Sequence, residues 1–265
     1  MLARRCAPMQ NRKRVLGHRG ASMIVSYRHN YIFIKTKKTA GTTIEWVLAQ
    51  SCGPEDITTT ARPDEREGRR ARRRQSTFSA EDLEDLSPAE RFRRLRDLRD
   101  KAAKRKLKEQ LRSEGDFHNH ISAEQLRPLL DETFWNSALK FTAERHPYEK
   151  AVSFAYFQYN QSDRHIASFE RLLDQVVRQG GYEGFRRWSI GGIPAVDDFI
   201  RQESLLQDLR RIGERLGIPI PDDLPQLKGN ARKDRRPARE ILTDEQKRIV
   251  FETCRAEFNL LGYEP

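Results

Sequence analysis

The chain has 265 residues, a formal net charge of +11 and a sequence pI near 9.8. That length suits one sizeable α/β domain with an insertion rather than two domains, and the charge favours an anionic ligand: a nucleotide, an acidic glycan, a nucleic acid or an anionic membrane. Hydrophobic content is 37% and mean hydropathy −0.83, low for a compact globule, so part of the chain is expected to be polar insertion or arm.

Residues 1–22 are basic and poor in apolar residues, and are expected to be a disordered extension. They lack the apolar core of a signal peptide, and the chain has no run of about 18 apolar residues, so no membrane span is expected and a cytoplasmic location is the simplest reading. Cys6, Cys52 and Cys254 are widely spaced with no C-x-x-C pair, which supports neither a zinc site nor a disulfide framework. Residues 23–27 read as a short edge strand or lead-in. Tyr31–Ile34 alternates aromatic and β-branched residues, the pattern of a buried strand. Lys37, Lys38, Thr39, Ala40, Gly41, Thr42 and Thr43 follow, and then a helix with Ile44, Val47 and Leu48 on one face. Thr42 with Glu45 has the spacing of a capping box, which predicts a helix start near Thr43; Gly53-Pro54 supplies the stop.

A strand, a short loop and a capped helix make an anion site. The first amides of a helix have no internal partner, and the dipole is positive there. Gly41 permits close backbone approach to a ligand, Lys38 adds a full charge, and the threonine hydroxyls add donors. The nucleotide-triphosphatase pattern G-x-x-x-x-G-K-[ST] is missing, because the lysine precedes the glycine. The ordinary alternative is a strand–turn–helix with a lysine in the turn. KKTAGTT after an apolar strand resembles the 5′-phosphosulfate loop of sulfotransferases that use 3′-phosphoadenosine 5′-phosphosulfate, PAPS. The nearest branch is the carbohydrate type, with Lys38 in the place of its lysine and Lys37 in the usual proline place.

Residues 57–115 are charge-dense and read as a basic, mostly helical insertion. A polar segment containing GRRARRRQ comes first, then helices over 79–112 with a restart at Ser87-Pro88. That segment is read as a solvated loop or as a wall for an acidic acceptor. Its lack of aromatic residues argues against base stacking. His118 and His120 lie in a loop before a helix over 123–130, which Ser122 and Gln125 cap. A surface pair is the ordinary reading. The segment also resembles the H-x-H of the 2-O-sulfotransferase branch, where a histidine is the base, so His120 is the first candidate and His118 the second.

Residues 138–143 form a second strand, which runs into Arg145-His146-Pro147 and a helix expected to bury Ala151, Val152, Phe154, Ala155 and Phe157. The spacing from Arg145 to Ser153 resembles the family's 3′-phosphate motif. An arginine at a strand end and a serine two turns on can converge on one phosphate. The remainder reads as mostly helical: a segment over 165–178, a glycine-rich loop around Trp188, a strand and helix over 196–216 ended by Gly217, and a last helix capped by Thr243 and Gln246. Glu203 is read as structural. The basic loop after Leu224-Pro225 resembles the family's late loop over the nucleotide, which makes Lys228, Arg232 and Arg235 candidates.

The resemblance covers roughly residue 31 to the carboxyl end. It implies a P-loop-type parallel β-sheet flanked by helices, in a domain over 23–265. It places the 5′-phosphosulfate of PAPS over Lys38, Thr39, Ala40, Gly41, Thr42 and Thr43, and the 3′-phosphate against Arg145 and Ser153. The activity implied is sulfuryl transfer to a hydroxyl, most readily of a carbohydrate, without a metal and with 3′-phosphoadenosine 5′-phosphate, PAP, as product. A histidine with a pKa near neutral would suit the base. The alternatives are a nucleotide-kinase-like enzyme and a basic nucleic-acid-binding protein.

Overall fold

The structure is a computed structural model that describes residues 23–53, 55–58, 109, 120–161, 168–225, 232 and 234–265. The expectations for 1–22, the helices over 79–112, His118 and Lys228 lie outside the described residues. Within them, β1 (Met23–Ser26), β2 (Tyr31–Ile34), β3 (Ile57–Thr58), β4 (Leu139–Glu144) and β7 (Asp198–Arg201) form one sheet in the order β3-β1-β2-β4-β7. A separate hairpin joins β5 (Ser189–Ile190) to β6 (Ile193–Pro194).

The sheet is mixed, which corrects the expected parallel sheet. β2, β4 and β7 are parallel, but β1 runs antiparallel to both β2 and β3. Only residues 27–30 separate β1 from β2, and so short a connection closes an antiparallel hairpin, never a parallel crossover. β1 is also not an edge: Ile57 and Thr58, expected in a polar loop, pair with Val25 and Ile24 on its outer side.

The alternation of side chains along the first two strands separates two cores. Met23, Val25, Ile32 and Ile34 pack with Leu126, Trp135 and Trp188 on one face. Ile24, Tyr31 and Phe33 pack with Ile44, Leu48, Leu209 and Ile212 on the other. Helices therefore cover both faces, as strands buried on both sides require. On the first face lie α2 (Ala123–Leu126), α3 (Glu132–Ser137) and α6 (Phe185–Trp188); on the second lie α1 (Gly41–Leu48) and α7 (Leu205–Leu216). α2 is one short turn of helix continued by a 3-10 turn over Arg127–Leu129, because Pro128 cannot supply a helical amide.

A third core lies among helices. α4 (Pro147–Tyr159) and α5 (Phe169–Gln179) pack with α8 (Ala238–Ile241), α9 (Asp244–Thr253) and α10 (Arg255–Leu261). The expected last helix is two, broken at Cys254. α4 buries Ala151, Val152 and Ala155 as expected, but Phe157 is 42% exposed. No helix among the described residues is long and apolar enough to cross a membrane.

Candidate functional site

The carboxyl ends of β2, β4 and β7 share one edge of the sheet, and each is followed by residues with chemistry to offer. After β2 comes the loop 35–40. It is held down by polar contacts: the Thr36 hydroxyl donates to the Ala143 carbonyl in β4 and lies 3.1 Å from the Thr39 hydroxyl. Lys35 is buried and ion-paired with Glu45 of α1 at 2.5 Å. Its methylenes fill the space beside Gly41, where a Cβ would come within 2.6 Å of them. Gly41 thus admits the Lys35 side chain, a correction to the expected close approach of a ligand.

Backbone conformation sets this loop apart. Lys38 (φ 62°) and Ala40 (φ 57°) are both left-handed without being glycine, a costly choice for L residues. Alternating right- and left-handed residues turn successive amides toward one side and make an anion-binding concavity. α1 then begins at Gly41, with Ala40 as N-cap and no side-chain cap. The expected Thr42–Glu45 box is absent, because the Glu45 carboxylate is taken by Lys35. Thr39 is 1% exposed, and the Thr43 hydroxyl donates to the Pro225 carbonyl at 3.2 Å, so these two hydroxyls serve the fold rather than a ligand. Thr42 is half-buried. The Lys38 ammonium lies 4.5 Å from the centre of the Phe157 ring, while Lys37 donates to the Gly181 carbonyl at 2.8 Å and lies over Phe154.

β4 ends at Glu144, so Arg145 projects from the same edge. Its guanidinium donates to Glu149 of α4 at 3.0 Å, and its buried Nε has no partner among the described residues. Burial pushes the Arg145 pKa down, against the opposing pull of Glu149 and Glu203. Arg232 donates to the same Glu149 oxygen at 2.6 Å. Ser153 is half-buried on α4, one turn beyond Glu149. Arg235 is exposed and is not drawn into this cluster by any contact among the described residues.

His120 does reach the loop. Its carbonyl accepts from Arg187, and the charges of Lys35 and Lys37 act on its ring. Its Nδ1 is buried and has no hydrogen-bond partner among the described residues. Burial first, and then the charges of Arg187, Lys35 and Lys37, lower its pKa to about 3. The expected near-neutral value is therefore corrected: the ring is neutral at physiological pH. An anion bound among those cations offsets part of their repulsion and raises the pKa toward its ordinary range.

Glu203, read from the sequence as structural, is so, and most of the other supporting residues were missed. Glu203 accepts from the His146 amide at 2.8 Å and from the Tyr263 hydroxyl at 3.2 Å, and the Glu264 carbonyl accepts from His146 at 3.0 Å, so the tail after α10 braces the Arg145 corner. Behind that corner, Glu144 is fully buried, bonded to Lys150 and to the Trp188 indole at 2.8 Å. Glu149 alone left a signal, as an acid four residues after Arg145 on a helix. As a whole the edge offers cations, strained amides, a guanidinium nitrogen without a partner among the described residues and a neutral imidazole, which suit a multiply anionic ligand and a proton transfer. No family model, curated protein or solved structure matches the chain.

Proposed function

We propose that the protein is a PAPS-dependent sulfotransferase on a P-loop-type fold, acting on a hydroxyl of an acceptor, most readily a carbohydrate. The observation that carries this reading is the juxtaposition at one sheet edge: the strained loop after β2 is bonded to β4 two residues before Arg145, and its Lys35 and Lys37 lie close enough to act on the His120 ring. The unpartnered Nε of Arg145 and the left-handed residues Lys38 and Ala40 fit a phosphate-bearing ligand. The inward hydroxyls of Thr39 and Thr43 fit it less well, which leaves the backbone amides and Lys38 to hold the 5′ end.

PAPS, when bound, supplies an activated sulfuryl group. Lys38 and the amides opening α1 would hold its 5′ end, and Arg145 with Ser153 its 3′-phosphate. Such a transfer asks for in-line placement and charge neutralisation. The neutral His120 imidazole takes the acceptor's proton as that oxygen bonds to sulfur. Lys38 leaves the face of Phe157 and neutralises the phosphate oxygen whose bond to sulfur breaks. Because that oxygen gains charge in the transition state, replacing Lys38 raises the barrier by roughly 3 kcal/mol.

A thermal-shift titration with PAP, ADP and AMP tests the reading. Binding to the native state raises Tm by mass action. A shift with PAP, lost in Lys38→Ala and Arg145→Ala, is the expected result. No shift, or an equal shift with ADP, overturns it.

A further inference from the structure

Glu149 stands at a junction. One of its oxygens accepts from Nη2 of Arg145 at 3.0 Å and from Nη1 of Arg232 at 2.6 Å; the other accepts from the Ala238 amide at 2.7 Å. Two arginines 87 positions apart are thereby drawn onto a single carboxylate. Arg232 is fixed further, through Nε to the Asp234 carbonyl at 2.7 Å and through Nη2 to the Arg236 carbonyl. Burial of the Glu149 carboxyl opposes ionisation, but the Ala238 amide and the two guanidinium groups outweigh it and hold the pKa below its ordinary value.

The arrangement carries one surplus positive charge. It also leaves Nε of Arg145 buried with no partner among the described residues, beside a helix face where Glu149 and Ser153 follow at four-residue steps. Two guanidinium groups left alone at this separation repel; Coulombic opposition from Arg232 already lowers the Arg145 pKa. A shared carboxylate offsets that repulsion and fixes both planes. Planar guanidinium groups held in advance suit a phosphate monoester, which accepts several parallel N–H bonds.

We propose that Glu149 is a specificity-setting residue of the nucleotide site, which, by holding Arg145 and Arg232 side by side, creates the preference for a nucleotide carrying a 3′-phosphate. This rests on the sulfotransferase reading above. Glu149 acts through the arginines and is a positioning residue. It does not touch the reacting atoms. The opposite arrangement, in which the carboxylate occupies the arginines until a phosphate displaces it, predicts the opposite sign.

The test is calorimetric titration of the full chain with PAP and with AMP, which differ only in the 3′-phosphate. Glu149→Gln keeps an oxygen for the Ala238 amide and removes the charge. The expected result is that PAP affinity falls about tenfold more than AMP affinity, the scale of one charge-assisted contact. Arg232→Gln approaches the same contact from its other side and lowers the same ratio, which keeps the inference falsifiable if Glu149→Gln does not fold. An unchanged or increased PAP-to-AMP preference in either variant overturns the proposal. A wild-type preference near one removes the sulfotransferase reading itself, and this inference with it.

Discussion

Lys38 and Ala40 show how much a single backbone angle can say. An L residue in the left-handed region costs about 1–2 kcal/mol, and this loop holds two within three positions. Glycine relieves that cost, less the freedom it gains when unfolded. Ala40→Gly is therefore expected to raise stability by roughly 0.5–1 kcal/mol, seen as a Tm increase of about 2 °C by calorimetry. His120 makes the opposite kind of statement. Its pKa of about 3 in the folded chain lies below the ordinary 6.5. Between those values the unfolded chain binds a proton that the native chain refuses. The stabilising contribution is complete above pH 6.5 and is lost as pH falls toward 3, by up to about 1.4 kcal/mol per unit. Urea unfolding from pH 7 to 4 is expected to show a shallower acid decline in His120→Gln than in wild type; equal slopes would refute the assignment.

At the scale of elements, α1 separates two accounts of one residue. If Glu45 were half of a capping box with Thr42, loss of either would cost about 1 kcal/mol. Here Glu45 neutralises a buried lysine, and breaking a buried pair from one side costs about 3 kcal/mol or more. In urea unfolding, Glu45→Gln is expected to lower the free energy of unfolding by that amount and Thr42→Ala by less than about 0.5 kcal/mol. The same contrast shows which parts of the fold were legible. The boxes at Ser122–Gln125 and Thr243–Gln246 formed as their spacing predicted, because the side-chain oxygens they need stay free for the cap: Gln246 spends only its Nε2 on Asp174. The Thr42–Glu45 box had the same spacing and failed, because Lys35 lies across the helix start. Strand faces were legible from alternation, since burial on two sides imposes period two. The direction of β1 is written in the shortness of the 27–30 turn, which outweighs the expectation of a parallel sheet. Arg145 was legible from its motif, and Arg232 only through the resemblance of its loop; that the two meet at Glu149 was not, since no local pattern records a contact 83 residues away. The ionisation of His120 depends first on burial and then on Arg187, Lys35 and Lys37, and only the folded chain assembles these.

At the scale of the whole molecule, the bonds that close the candidate site join distant parts of the chain. Thr36 reaches Ala143, 107 residues on; His146 reaches Glu264, 118 on; Lys37 reaches Gly181, 144 on; and Thr43 reaches Pro225, 182 on. Each closes a long loop whose entropy must be lost before the bond repays it. Folding order follows. Local helices and the β1–β2 hairpin can form early, whereas the loop after β2 can take its strained shape only when nearly the whole chain is in place. Contacts made after the rate-limiting step slow unfolding without speeding folding. In stopped-flow kinetics, Thr43→Val, which removes the hydroxyl that holds Pro225, is expected to unfold about fivefold faster and to fold at the wild-type rate. A chain still emerging from synthesis would then carry its sheet before its anion site, and would acquire both strain and chemistry in the same late step.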